Sequence, residues 1–453
     1  MGVVGVNLLT NDSLPADTIP QELSTYAYSY PHKSSYRPLT PAVPIAAAWR
    51  NENVEQLSLY VHIPFCEMRC GFCNLFTQSQ PTEGIVTDYL HTLVRQMGVV
   101  RRAVPTATFS QLAIGGGTPT FLSAQQLAKL CTEIETTFGQ SIRDLPTSVE
   151  TSPATATADR LQVLASYGVQ RISLGVQSFL PFETRQLGRP QQVDEVHRAL
   201  NLIQECHFPE LNIDLIYGAP EQTLETWLAS LGAALDYHPD ELYLYPLFVR
   251  PQTGLGQQGM RQVEHQVELY IAARELLGDR GYVQTSLRCF RRPSTTSKST
   301  YTCQRDGLIG LGCGARSYTR QLHYATRFAT TQAGIRAILR EWVMQTDEEF
   351  SLATHGIHLS LEEECRRFVI MSLLQAEGLS IAEFQDRFPG TDLHEMPGID
   401  VLIYREWLIA NNDRYVLTPL GLQNSDFVGP LLYSPSVLES LRAFVQFPNV
   451  PSE

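Results

Sequence analysis

The sequence predicts an α/β protein, a partial (β/α)6 TIM-like barrel preceded by an arm and followed by a helical, winged-helix-like domain. Three observations carry this expectation. Six short β-branched or aromatic runs recur between residues 57 and 248, helix-length amphipathic segments separate them, and after about residue 330 the strand signal fades.

The runs are LSLYVHI (57–63), FSQLAIG (109–115), TSVET (147–151), RISLGV (171–176), LNIDLIY (211–217) and LYLYPLF (242–248), each bounded by Gly, Pro or polar residues. Between them, VTDYLHTLVRQMGVV, SAQQLAKLCTEIETTF and VDEVHRALNLIQE repeat apolar residues at three- and four-residue spacing, as does VEHQVELYIAARELL further on. Helical crossovers of this length imply parallel strands covered by helices. In a barrel of this kind the chemistry gathers at the strand C-terminal ends. Residues 1–50, rich in Pro, Ser and Tyr without a period, read as an arm rather than a folded unit. Residues 51–330 read as the barrel with its extension, and 331–453 as a helical domain ending in the short pair WLIANNDRYVLTPLGL.

Composition narrows the function. A net charge of -13 argues against a broad nucleic-acid or membrane-surface footprint, which needs positive potential. No apolar run approaches the roughly 18 residues of a transmembrane helix. The N-terminus MGVVGVNLLTNDSLPADT lacks both a basic region and an apolar stretch of signal-peptide length, so a cytoplasmic location is expected. The nine cysteines form one tight group, at 66, 70 and 73, and six singles. In a reducing compartment the group reads as a metal site.

That group lies in YVHIPFCEMRCGFCN, where Cys66, Cys70 and Cys73 make a CxxxCxxC array directly after the first strand. Three thiolates in one loop can hold three irons of a [4Fe-4S] cubane and leave the fourth without a protein ligand. S-adenosylmethionine (SAM) can chelate that iron through its amino and carboxylate groups, and an electron from the cluster then yields a 5'-deoxyadenosyl radical. The competing reading is a zinc site with His62 as fourth ligand. Zinc sites usually draw on two separated ligand pairs, and the sequence has no second CxxC or HxxxH.

Gly115-Gly116-Gly117-Thr118-Pro119 ends the second strand, where glycines let backbone groups approach a ligand such as the SAM amino group. Alone it reads equally as a tight turn. Glu150 and Pro153 follow the third strand, Gln177 the fourth, and Asp214 lies in the fifth, so polar residues recur where a barrel ligand would sit.

The ordered motifs YVHIPFCxxxCxFC, GGGTPT, ExxP, RISLGVQSF, a later Arg and NIDLIYGxP resemble the radical SAM family of oxygen-independent coproporphyrinogen III oxidase and its heme-chaperone relatives. The resemblance covers roughly residues 55–320, with LIGLGCGARSY (308–318) similar to a late glycine-rich motif. FVIMSLLQAEGLSIAEFQDRF with RYVLTPLG resembles the family's winged-helix-like C-terminal domain. It implies that Tyr60 and Phe72 flank the cluster, that Gly116, Gly117 and Thr118 contact the methionine end of SAM, and that Glu150, Gln177, Arg189 and Asp214 hold SAM further on. In chemical terms, Glu150 suits the SAM ammonium and Arg189 a carboxylate. The resemblance also implies an electron donor such as flavodoxin or ferredoxin, and it brings heme into question as a ligand.

The chain departs from the oxidases in two places. They resemble CxxxCxxCxC, whereas Asn74 and Leu75 follow Cys73 here, and Phe248 and Arg316 align where the oxidases have a small and an apolar residue near a second SAM. The chain thus reads as a radical SAM enzyme acting on a tetrapyrrole or other carboxylate-bearing substrate, with a heme-binding carrier as the alternative and a binding protein without turnover as a third. The arm favours a flat polycarboxylate. Tyr26, Tyr28, Tyr30, His32, Lys33, Tyr36 and Arg37 concentrate rings and positive charge ahead of the barrel, and Arg250, Arg288, Arg291, Arg292 and Arg316 lie in later segments that can add cations. The competing reading of these residues is a solvated or packing arm with unrelated surface arginines.

Overall fold

The computed structural model describes residues 28–250, 252–260, 265–293 and 306–446. Tyr26 and Cys303 lie outside them.

Six parallel strands form the centre: β1 (Leu57–Ile63), β2 (Phe109–Gly116), β3 (Thr147–Thr151), β4 (Arg171–Gln177), β5 (Glu210–Tyr217) and β6 (Glu241–Pro246). They lie side by side in chain order, all in parallel register. Their side chains are buried on both faces, as a sheet lined by ligand on one side and helices on the other requires. The covering helices follow their sequence signals. Helix Ala124–Phe138 opens with a reciprocal Ser123–Gln126 capping box and buries Leu127, Leu130, Cys131, Ile134 and Phe138 along one stripe.

The barrel stays open, and the sheet continues past both edges. Leu308–Leu311 pairs parallel to β1. Beyond it run Arg316–Tyr318, Leu322–Ala325, Leu352–His358 and finally Arg37–Pro44, all antiparallel. On the other edge Cys289–Arg291 pairs antiparallel with β6. The C-terminal domain packs helices such as Leu361–Leu373 and Ile381–Arg387 against a three-stranded sheet whose hairpin, Leu408–Asn411 with Arg414–Leu417, is the expected wing.

From residue 28 onward the arm joins the fold: Arg37–Pro44 closes one edge of the main sheet and Tyr30 is fully buried. Along the chain the two hydrophobic cores divide between Ala353 and Cys365. Ile335, Leu339, Trp342, Phe350 and Ala353 belong to the barrel core, with Trp342 stacked on Tyr89 at 4.8 Å, while the second core gathers Tyr30, Leu287 and residues from Cys365 onward.

Candidate active site

The CxxxCxxC loop leaves β1 and is pinched at its base, where Phe65–Cys66 pairs with Gln78–Ser79. The three thiols point to different supports. Thr118 Oγ1 donates to Cys66 Sγ at 3.5 Å, Arg189 Nη1 to Cys70 Sγ at 3.2 Å, and Cys73 Sγ lies 4.0 Å from Thr77 Oγ1. Cys66 lies within electrostatic reach of both other thiols and Cys70 within that of Cys73, but among the described residues the three are not drawn together into a group that could hold a metal ion as they stand. Burial pushes the Cys66 and Cys70 thiols up, and the Arg189 guanidinium opposes it at Cys70. Thiols in this state ionise when a positive centre binds them. His62 is not turned toward them. Its Nε2–H donates to the Phe76 carbonyl at 3.0 Å and its Nδ1 accepts from the Tyr60 hydroxyl at 3.0 Å, so burial holds a neutral ring with a pKa of about 4.

Buried polar atoms without a partner gather around the same loop: Glu67 Oε2, Arg69 Nη1 and Arg250 Nε. Three thiols carried on one short loop, with orphaned polar atoms beside them, suit a multi-iron cluster with an organic ligand alongside. They do not fit a zinc ion that takes His62 as its fourth donor.

The triple glycine is forced by packing. A Cβ at Gly116, whose φ is +114°, would stand 2.4 Å from the His62 ring; one at Gly115 would stand 2.7 Å from the Glu150 carboxylate; and one at Gly117 would stand 2.6 Å from the Phe65 carbonyl. The N–H groups of this turn are all engaged. Gly116 donates to Glu150 Oε2 at 2.9 Å, Gly117 to the Ile63 carbonyl at 2.8 Å and Thr118 to the Phe65 carbonyl at 2.8 Å. A ligand meeting the turn therefore finds acceptors, which suits an ammonium.

The residues singled out for SAM separate into two groups. Tyr60, Phe72, Gly116, Glu150, Gln177 and Asp214 line one cavity of about 550 Å³ together with Cys73. Gly117, Thr118 and Arg189 stand behind it, the first two against Cys66 and the third against Cys70. The three nitrogens of Arg189 are engaged by Cys70 Sγ, by the Gly175 carbonyl at 2.8 Å and by Gln191 Oε1 at 3.0 Å. Inside the cavity burial raises two carboxyl groups, Glu150 to about 7 and Asp214 to about 6. The Gly116 N–H works against this shift at Glu150, and the Asn212 amide, 2.8 Å away, works against it at Asp214.

Lys33, Arg250 and Arg316 line the same cavity. Lys33 Nζ sits 3.9 Å from the centre of the Phe328 ring, and Arg316 lies 5.4 Å from the centre of the Tyr28 ring and 5.7 Å from that of Tyr318. Burial, then Arg316 and Arg250, hold the Lys33 ammonium well below its ordinary pKa. Burial likewise lowers Arg250.

Tyr30, His32, Arg37, Arg288, Arg291 and Arg292, from the same expectation, do not line this cavity and have partners of their own. Tyr30 donates to Glu363 in the second core. His32 holds Ser34 and the Tyr28 hydroxyl, and exposed Arg37 donates to the carbonyls of Ser34, Tyr36 and Ser440. Arg288 pairs with Asp426, Arg291 with Glu210 and Glu241, and Arg292 with Asp240. Sequence reasoning missed Phe328 and Tyr318 on the wall, and Met371, Leu374 and Gln375, which the C-terminal domain contributes. Nothing in that helical stretch distinguishes them. They reach the cavity because the Leu287 N–H and the Leu374 carbonyl join at 3.0 Å across the domain contact.

Residues 60–233 match the model of the Radical SAM superfamily. The heme chaperone HemW of Bacillus subtilis is 32% identical over 271 residues, 58% of this chain and 70% of that protein. The oxygen-independent coproporphyrinogen III oxidase of Escherichia coli is 29% identical over 405 residues, 82% of this chain and 84% of that protein. Among solved structures, the coproporphyrinogen III oxidase HemN of Escherichia coli matches the fold with a TM-score of 0.74 at 24% identity, covering 89% of this chain and 96% of that one.

The fold and the loop thus define a radical SAM protein, a class that implies a [4Fe-4S] cluster and SAM. Within that superfamily the chain belongs to the family that holds HemW and oxygen-independent coproporphyrinogen III oxidase. Among the described residues no helix is long and apolar enough to cross a membrane.

Proposed function

We propose that this chain is a radical SAM enzyme whose cavity takes a polycarboxylate tetrapyrrole of the coproporphyrinogen III kind. The observation that carries the reading is the cation group at the Cys73 end of the cavity. Among the described residues, no carboxylate offsets the charge of Lys33 or Arg250; the group that favours charged Lys33 is Cys73, and those that favour charged Arg250 are Tyr28 and Tyr433. Gathering like charges away from water costs several kcal/mol unless an anion joins them. Carboxylates on a flat ring supply that anion, and Tyr28, Phe328 and Tyr318 supply faces for the ring.

In this reading Cys66, Cys70 and Cys73 hold the cluster, and Arg189 supports Cys70 rather than forking onto a carboxylate. Glu150 receives the SAM ammonium beside the Gly116 turn, with Tyr60, Phe72, Gln177 and Asp214 around the rest of the cofactor. Once bound, the cluster and SAM supply one-electron cleavage to a carbon radical. The protein's own task is to hold a substrate carboxylate near Cys73 and to exclude water.

A second reading, a heme carrier, is favoured by Asn74 and Leu75 after Cys73 and by the 32% identity to a protein named as a heme chaperone. Anaerobic reconstitution with SAM, dithionite and coproporphyrinogen III separates the two. A product lighter by carbon dioxide and two hydrogens, one hydrogen taken by the 5'-deoxyadenosyl radical and the remaining electron by an added electron acceptor, supports the enzyme, whereas a Soret band on heme addition with no product supports the carrier.

A further inference from the structure

Three glycines from distant parts of the chain meet at the cluster loop. Gly71, between Cys70 and Cys73, donates its N–H to the Leu187 carbonyl at 3.0 Å and the Gly188 carbonyl at 3.3 Å, and its own carbonyl accepts the Leu255 N–H at 2.9 Å. A side chain is excluded at Gly71 and Gly188 and is tight at Gly254. A Cβ on Gly71 would stand 2.9 Å from the Leu187 carbonyl, one on Gly188 2.8 Å from Gly71 Cα, and one on Gly254 3.3 Å from Gly71 Cα. The segment on the far side carries Arg250. Its carbonyl accepts both the N–H and the hydroxyl of Thr253, at 3.0 and 2.8 Å, and Thr253 Oγ1 in turn accepts the Gly256 N–H at 3.3 Å. Hydrogen bonds at Thr253 thus fasten the Arg250 carbonyl to the short turn Gly254–Gln257, and that turn, through the Leu255 N–H, is fastened to the Gly71 carbonyl in the loop that bears the thiols.

We infer that Thr253 is a positioning residue which ties the Arg250 segment to the cluster loop, so that a carboxylate held by Arg250 alters the surroundings of Cys70. The inference rests on the reading of Arg250 as an anion-binding group. Backbone bonds across a glycine crossing leave no flexible side chain to absorb a shift, so a displacement at one end is felt at the other.

The test uses the full chain with coproporphyrin III as probe. Its binding is followed by quenching of its fluorescence, and the alkylation rate of Cys70 in the metal-free protein is followed by mass spectrometry. Cys73 lines the cavity and is shielded directly, so Cys70 is the reporter. The electron paramagnetic resonance spectrum of the reduced, reconstituted protein gives an independent readout. Coproporphyrin III is expected to change the Cys70 rate and the spectrum in the wild type and in Thr253→Ser. Both changes are expected to disappear in Thr253→Ala, which still binds the probe within about threefold, less than the tenfold that 1.4 kcal/mol represents. Gly254→Ala is expected to behave like Thr253→Ala. Binding without any change at Cys70 in the wild type, or a response kept by Thr253→Ala, overturns the inference alone. Absence of binding to the wild type overturns the anion reading and the inference with it.

Discussion

Arg189 holds Cys70 from behind: Nη1 lies 3.2 Å from the sulfur while Nη2 donates at 2.8 Å to the Gly175 carbonyl in β4. A cationic donor on a cluster thiolate stabilises the more negative, reduced state, so its removal makes the cluster harder to reduce. A hydrogen bond to a charged group contributes roughly 1.5–3 kcal/mol, which for one electron is at most about 60–130 mV. Arg189→Gln is expected to assemble its cluster with a midpoint potential lowered within that range, measured by redox titration. An unchanged potential would remove Arg189 from the account of the cluster.

Cys66→Ala, Cys70→Ala and Cys73→Ala are each expected to lose the SAM-cleaving cluster, read as iron and sulfide content after anaerobic reconstitution. Cys131, Cys289 and Cys313 are buried outside the CxxxCxxC loop, Cys289 on the wall of the same cavity, and their replacement by Ser or Ala is expected to leave iron content unchanged. Retention of reductive SAM cleavage in the triple loop variant would contradict the site assignment.

If Glu150 receives the SAM ammonium as proposed, SAM binding is expected to depend on pH. The Glu150 carboxyl is raised from 4.5 to about 7 by burial, and the ammonium partner requires the ionised form. Between pH 8 and pH 6 the ionised fraction falls roughly tenfold, and the SAM affinity of the metal-loaded protein is expected to fall with it. Stability runs the other way in the SAM-free protein. The folded state binds the extra proton, so the contribution is full below pH 4.5 and is lost as pH rises through about 7. Glu150→Gln is expected to flatten both profiles, checked by calorimetric titration and by denaturant unfolding across pH.

Lys33 carries a cost in the ligand-free protein, because burial and the neighbouring arginines disfavour its charge. Lys33→Met keeps an unbranched side chain of similar reach and removes the ammonium that sits over the Phe328 ring. It is expected to raise ligand-free stability by about 1–2 kcal/mol while weakening coproporphyrin III binding roughly tenfold or more. Denaturant midpoints and fluorescence titration check the two halves, and a loss of stability would show that Lys33 has an anionic partner already.

The barrel was legible because its signals are local. Each of the six runs from LSLYVHI to LYLYPLF falls on a strand, and the cluster loop follows the first as expected. The arm strand Arg37–Pro44 was not legible, since RPLTPAVP carries three prolines that argue against a strand. It forms because it occupies a sheet edge, where a missing N–H costs nothing. The arginines after residue 280 show the other limit. Arg291 and Arg292 resemble free cations in sequence, but their acidic partners Glu210, Glu241 and Asp240 stand 50 or more positions away and come alongside only through strand pairing. Lys33, Arg250 and Arg316 were legible as charges expected at one site, and they line one cavity, whereas the sequence offers no signal for the rings of Phe328 and Tyr318 beside them.

The most direct test of the central claim is anaerobic turnover of the reconstituted chain with SAM, dithionite and coproporphyrinogen III, followed by mass spectrometry of both products. The account expects 5'-deoxyadenosine to form together with a tetrapyrrole lighter by carbon dioxide and two hydrogens per propionate, the leftover electron passing to an added electron acceptor, and expects both to disappear in the double variant Lys33→Ala and Arg250→Ala while its iron content holds. Stoichiometric heme binding with an unchanged tetrapyrrole and no substrate-dependent 5'-deoxyadenosine would contradict it.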